Sequence, residues 1–166
     1  MANKVYLGLG SNKGNREQNL KEAVKEINKI EGCKVEKSSS VYETAPYGDV
    51  IQDNFLNAVC LCKTDLSPAL LLRELKGIEA KLGRTYTEKW GPREIDIDIL
   101  LYEDLVYRDE NISIPHKGII MRDFVVVPLL ELDAEIEHPE LKIKLHNVTF
   151  KESENYIINK TGIILI

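Results

Sequence analysis

Positive charge is in short supply in this chain. Its 22 Lys and Arg face 27 Asp and Glu, for a formal net charge of −5. Binding nucleic acid by phosphate neutralisation needs a clustered basic excess; none is present, so no nucleic-acid partner is expected. Cysteine is scarce as well. Cys33, Cys60 and Cys62 are an odd set in a chain of 166 residues, which does not read as a disulfide framework. Cys60 and Cys62 stand two apart in an apparent strand and so share a face. Lacking Cys or His partners at zinc-site spacing, they read as buried, reduced thiols. No run approaches the roughly 20 apolar residues of a membrane span, and MANKVYLGLG lacks a signal peptide's apolar segment. No membrane partner is expected, and the cytoplasm is the default location.

What is present is an ordinary globular balance, 43% apolar and 30% charged. The length suits one domain over 1–166, able to bury roughly 70% of its unfolded surface. Val5, Leu7 and Leu9 alternate and predict a strand ending in the turn Ser11-Asn12-Lys13-Gly14-Asn15. Asn15 is placed to cap a helix whose apolar stripe is Leu20, Ala23, Val24, Ile27 and Ile30, with Gly32 at its left-handed end. A polar, serine-rich segment from Val35 to Glu43 predicts an edge strand, and Phe55 to Thr64 a third strand. Ser67-Pro68 is a strong helix start, Leu71, Leu72, Leu75, Ile78 and Leu82 form its stripe, and Gly83 closes it. The strand IDIDILLY follows. The order is thus β-α-β-β-α-β, which predicts an α+β, ferredoxin-like antiparallel sheet with helices on one face and the other face free for a ligand. Extra strands are expected near Leu105–Tyr107 and Ile112–Ile114, and the apolar segment FVVVPLLEL after them. At the end, Tyr156–Ile158 and Ile163–Ile166 suggest a hairpin.

The chemistry concentrates in WGPREIDIDIL. Alternation sends Ile95, Ile97, Ile99 and Leu101 to one face, and Asp96 and Asp98 to the other, about 6.5 Å apart. Two ionised carboxylates this close repel unless cations sit between them, and two Mg²⁺ ions completed by phosphate oxygens and water would fit. Alternation alone is equally served by two aspartates facing solvent. Arg84 and Arg93 bracket a polar loop that runs into this strand, either as plain ion pairs or as a clamp on a polyphosphate. Trp90, beside Gly91-Pro92, suits a lid that expels water, or simple packing. Phe55 and Asn57 share a face, an aromatic plate beside an amide, apt for a planar heterocycle or for a core. GLGSNKGN fails as a nucleotide loop. It lacks Gly-Lys-Ser/Thr after four spacers, and Lys13 stands where a dinucleotide fingerprint needs glycine.

Taken together, GLGSNKGN, YETAPYG with FLNAV, IEAKLGR, WGPREIDIDIL, and IPH with RDFVVVPLLE occur in one order over roughly Val5 to Leu132. In these stretches the chain resembles the 6-hydroxymethyl-7,8-dihydropterin pyrophosphokinase family of folate biosynthesis. The resemblance implies Mg-dependent transfer of the β,γ-pyrophosphate of ATP to the pterin hydroxymethyl group, with release of AMP, by a monomer. It implies that Asp96 and Asp98 hold two Mg²⁺ ions and that Arg84 and Arg93 bind the β- and γ-phosphates. His116 and Arg122 would contact ATP on its phosphate and ribose side, with Lys76, Glu79 and Ile99 at the nucleotide site. The pterin would lie between Phe55 and Phe124, with Thr44 and Asn57 at its polar edge and Trp90 sealing the site. Some positions depart from the family pattern: Tyr86 replaces a common basic residue (with Lys89 near enough to compensate), Lys117-Gly118 follow His116, and Ile51 stands where aspartate is frequent. Two rivals remain. An RNA-recognition module shares the element order but carries basic residues where Asp96 and Asp98 stand, and an ordinary kinase acting at the γ-phosphate would release ADP.

Overall fold

A computed structural model of the chain describes residues 2–84 and 91–166. Its leading elements are β1 (Asn3–Ser11), α1 (Arg16–Ile27), β2 (Cys33–Ser38), β3 (Tyr42–Thr44), β4 (Phe55–Thr64), α2 (Pro68–Lys81) and β5 (Asp96–Tyr102). After them come β6 (Tyr107–Arg108), β7 (Ser113–Ile114), α3 (Asp123–Leu132), β8 (Glu137–His138), β9 (Ile143–Lys144) and β10 (Ile157–Lys160). The main sheet runs β10-β3-β4-β1-β5, with β2 also on β4, and every pairing is antiparallel. This is the expected α+β, ferredoxin-like sheet. The helix starts follow from local chemistry: Asn15 accepts from the Gln18 amide, and Ser67 accepts from the Leu70 amide ahead of Pro68. Gly83, at φ 92°, ends α2 in the left-handed region.

One core lies between the sheet and α1 and α2, built on Leu7, Leu9, Leu20, Ile27, Leu71, Leu75, Ile97 and Ile99. Cys33, Cys60 and Cys62 are buried there as free thiols.

The opposite face is not wholly free, contrary to the sequence expectation. FVVVPLLEL forms α3, and Val125, Val126 and Leu129 cover Tyr6, Val59 and Leu61 as a second core. Among the described residues, one end of that face stays open. Leu101 also departs from expectation. The β1–β5 register slips between Tyr6 and Leu7, and this bulge leaves Leu100 without a partner in the register. One extra residue inverts the alternation, so Leu101 packs with the second core and not with Ile97 and Ile99.

The predicted strand from Val35 to Glu43 is split. At the break, Ser39 exchanges hydrogen bonds with the Val59 backbone, and Ser40 donates to Glu131. Gly32 has the expected positive φ, 77°, but lies five residues past the end of α1. The C-terminal hairpin is absent. β10 instead pairs antiparallel with β3, while 161–166 continues without strand structure. The open edge of β3 offers a row of unmet amides and carbonyls, and Thr161 fastens the end by donating to the Val41 carbonyl.

The two helices are linked by charge. Glu26 accepts from Lys29 at 2.6 Å and from Lys81 of α2 at 2.6 Å, and these bonds hold its carboxyl down to about 2. A lowered carboxyl pKa stabilises the fold fully above the ordinary value near 4.5, and that contribution is lost as pH falls through about 2. The melting-temperature gap between the native chain and Glu26→Gln should therefore be constant above about pH 5 and close toward pH 2. A gap independent of pH would contradict the assignment.

Candidate active site

A cavity of about 790 Å³ opens at the uncovered end of the sheet. Its floor is β1 at Gly8 and Gly10, flanked by Asp96, Asp98 and Ile99 of β5 and by Phe55 and Asn57 of β4. Lys76 of α2, Arg84 and Arg93 line one side. His116, Arg122 and Phe124 line another, at the approach to α3. Thirteen predicted site residues lie in the described part, and eleven of them meet in this one recess. Thr44 and Glu79 do not line it, and each reaches it through a neighbour. Trp90, with Tyr86 and Lys89, lies outside the described residues.

Asp96 is paired twice, to Arg84 Nη1 at 2.8 Å and to Arg93 Nη1 at 3.3 Å. Glu79, 4% exposed, accepts from the Ile97 amide at 2.8 Å and pairs with Arg84 at 2.9 Å and Lys76 at 3.1 Å. It thus ties α2 to β5 and fixes Arg84 from behind. Burial works against the Arg84 charge, but Asp96 and Glu79 outweigh it and raise its pKa. Asp98 is the strained member of the pair. Its side chain keeps 34% of its surface open, but into a protein-walled recess. Desolvation first, and the Asp96 charge second, push its carboxyl up to about 7, against the pull of Lys76 and Arg122. His116 Nε2 stands 3.8 Å from Asp98, beyond a hydrogen bond. Burial, then the Arg122 charge, hold His116 down to about 4, so this contact is no ion pair at neutral pH. Its Nδ1 accepts from the Gly118 amide at 3.0 Å, which leaves the proton on Nε2, on the Asp98 side.

The other half of the recess is aromatic. Phe55 lies under the Arg93 guanidinium at 5.3 Å, and Tyr47 lies under Arg122 at 4.6 Å. Gly118 permits the second contact, since a Cβ there would stand 2.7 Å from the Arg122 guanidinium carbon. Thr44, fully buried, accepts from Asn57 Nδ2 at 2.8 Å and so orients that amide.

Residues 6–134 match the family model for 7,8-dihydro-6-hydroxymethylpterin-pyrophosphokinase (HPPK). A 2-amino-4-hydroxy-6-hydroxymethyldihydropteridine pyrophosphokinase of Aquifex aeolicus is 47% identical over 81% of this chain and 83% of that protein. The chain belongs to the HPPK family. It is accordingly an enzyme, a pyrophosphokinase that uses ATP. The folic acid synthesis protein fol1 of Schizosaccharomyces pombe is 46% identical over 82% of this chain, which spans only 19% of that protein. Among solved structures, Plasmodium falciparum HPPK-DHPS superposes with a TM-score of 0.72 at 16% identity, over 89% of this chain and 45% of that one. That likeness speaks for the fold alone. Among the described residues, no helix is long and apolar enough to cross a membrane.

Three residues important to this pyrophosphokinase cavity escaped sequence reasoning. Gly8 is opposite Asp98 and Gly10 opposite Asp96 in the register, so the pair of glycines clears the floor beside the pair of carboxylates. Their two-residue spacing on a predicted strand was the available signal. Asn12, 3% exposed, accepts from the Arg93 amide at 2.9 Å and donates to Gln52 at 2.8 Å and to the Asp53 carbonyl at 2.9 Å. It joins Arg93 to the loop before β4.

The donor set suits magnesium. Among the described residues, no group of three or more His, Cys, Asp or Glu could hold a metal alone. Two carboxylates in a recess with room for phosphate oxygens match a hard cation that is rarely caged by protein.

Gly10 can be tested separately. A Cβ at Gly10 would stand 2.6 Å from Asn57 Oδ1, forcing the amide off Thr44. Gly10→Ala should cost about 1 kcal/mol in urea unfolding, and little in an Asn57→Ala background. An equal loss in both backgrounds would contradict this contact.

Proposed function

We propose that the chain transfers the β,γ-pyrophosphate of Mg·ATP to the hydroxymethyl oxygen of 6-hydroxymethyl-7,8-dihydropterin and releases AMP. The observation that carries this reading is the convergence of two carboxylates, two arginines and an aromatic wall on one recess. Since both halves line one cavity, residues 1–166 act as a single pyrophosphokinase domain. The pterin alcohol lies against Phe55 and Phe124, with its polar edge at Asn57, which Thr44 orients. The triphosphate runs past Asp96 and Asp98 toward His116 and Arg122, and the nucleoside end lies by Lys76 and Ile99. Two Mg²⁺ ions held by Asp96 and Asp98 would neutralise the phosphates and polarise the phosphoryl oxygens when bound.

In the reaction, the alcohol oxygen forms a bond to the β-phosphorus in line with the breaking bond to the α,β-bridging oxygen. That bond's electron pair leaves on AMP, and the alcohol proton passes to water. Arg84 and Arg93 exchange the Asp96 carboxylate for β- and γ-phosphate oxygens, a swap between two acceptors of the same geometry. His116, whose Nδ1 accepts from the Gly118 amide, donates from Nε2 to a phosphate oxygen. Positioning and electrostatics supply most of the acceleration. Trp90 seals the site in this reading.

The test is the nucleotide product formed from the pterin alcohol and Mg·ATP. AMP supports the reading; ADP assigns an ordinary kinase. Asp98→Asn should lower kcat by about a hundredfold or more with no loss of melting temperature, since the substitution removes a desolvated charge beside Asp96. Full activity in that variant would exclude the metal role. Arg93→Ala should lower kcat far more than it weakens pterin binding, and the reverse pattern would remove Arg93 from the phosphate clamp.

A further inference from the structure

The family match ends at residue 134, yet the chain beyond it returns to the site. Tyr156 contacts two aromatic rings of the recess, Tyr47 and the pterin-side Phe124. Its ring centroid lies 5.2 Å from that of Tyr47 and 5.9 Å from that of Phe124, the second pair edge-on at 83°. Tyr47 and Phe124 meet each other at 6.3 Å, edge-on at 64°, so the three rings form a closed triangle. Tyr47 and Phe124 line the cavity and Tyr156 does not, so it stands behind them.

The backbone around Tyr156 is tied to the same two segments. The amides of Tyr156 and Ile157 both donate to Asp123 Oδ2, at 2.9 and 3.0 Å, and Asp123 immediately precedes Phe124. On the other side, the Ala45 amide donates to the Tyr156 carbonyl at 2.8 Å, two residues from Tyr47. Ile157 pairs with Thr44, which orients Asn57. One short stretch therefore grips the start of α3, the end of β3 and the loop carrying Tyr47. Without it, Phe124 would lack a lateral support that an edge-on ring pair supplies.

We propose that Tyr156 is a positioning residue for the pterin seat: its ring and backbone, contributed from outside the family-matched region, hold Phe124 and Tyr47 in the orientation that receives the pterin. This rests on the pterin reading above. Preorganised rings bind a flat ligand without the cost of ordering them at that moment, so the loss should appear in pterin affinity and not in the chemical step.

The experiment compares Tyr156→Ala, Tyr156→Leu and Tyr156→Phe with the native chain in steady-state assays of AMP formation, beside melting temperatures. Tyr156→Ala should raise the pterin KM about tenfold while kcat and the Mg·ATP KM stay within about twofold. Tyr156→Phe, which keeps the ring, should restore the native pterin KM. Tyr156→Leu keeps apolar bulk without a ring and guards against loss of the fold; it should behave as Tyr156→Ala does. A native pterin KM in the folded Ala or Leu variant, or equal weakening for both substrates, would overturn the proposal. If the native chain forms AMP while these variants keep its pterin KM, only this proposal fails. If the native chain forms no AMP, the pterin reading fails and this proposal falls with it.

Discussion

Two carboxylates projecting from the same side of one strand repel each other, and much of the site is arranged around how that repulsion is met. Asp96 is neutralised from within, by Arg84 and Arg93. Among the described residues Asp98 has no such pair, and desolvation together with its neighbour's charge pushes it up to about 7. The rest of the local structure serves this imbalance. Glu79 fixes Arg84 from behind, Asn12 pins the backbone of Arg93, and Gly8 and Gly10 leave the adjacent floor clear of side chains. A recess lined by Lys76, Arg84, Arg93 and Arg122 around one paired and one unpaired acid suits an incoming anion that carries divalent cations.

What was legible in the sequence was mostly local. Asn15 and Ser67 cap their helices through bonds to residues three positions on, a relation any reader of the chain can see. The alternation of Asp96, Ile97, Asp98 and Ile99 likewise needs no partner strand to be read. The resemblance carried further, to Lys76, His116 and Arg122, which lie apart along the chain and meet in one cavity.

What was not legible depends on register and on distant partners. The bulge at Leu100 reverses the face of Leu101, and its cause lies in the pairing with β1, not in IDIDILLY itself. The break at Ser39 and Ser40 answers Val59 and Glu131, the latter some ninety residues away. The isoleucine-rich end looked like a hairpin because its turn residues suit one, but the open edge of β3 was the stronger partner. The same long-range pairing brings Tyr156 against the aromatic wall. The glycines were visible as letters, but their task as the floor of a cavity emerged only once Gly8 was paired with Asp98 and Gly10 with Asp96.

If the carboxylate pair is half of a cation site that the nucleotide tail completes, metal binding must depend on the nucleotide. The direct measurement is a Mn²⁺ titration followed by electron paramagnetic resonance, with the chain alone and then with a non-hydrolysable ATP analogue and the pterin alcohol present. The account predicts only weak Mn²⁺ binding by the chain alone and two tightly held ions per chain, about 3.5–4 Å apart, in the ternary complex. Tight binding without nucleotide, or no ordered ion with it, would contradict it.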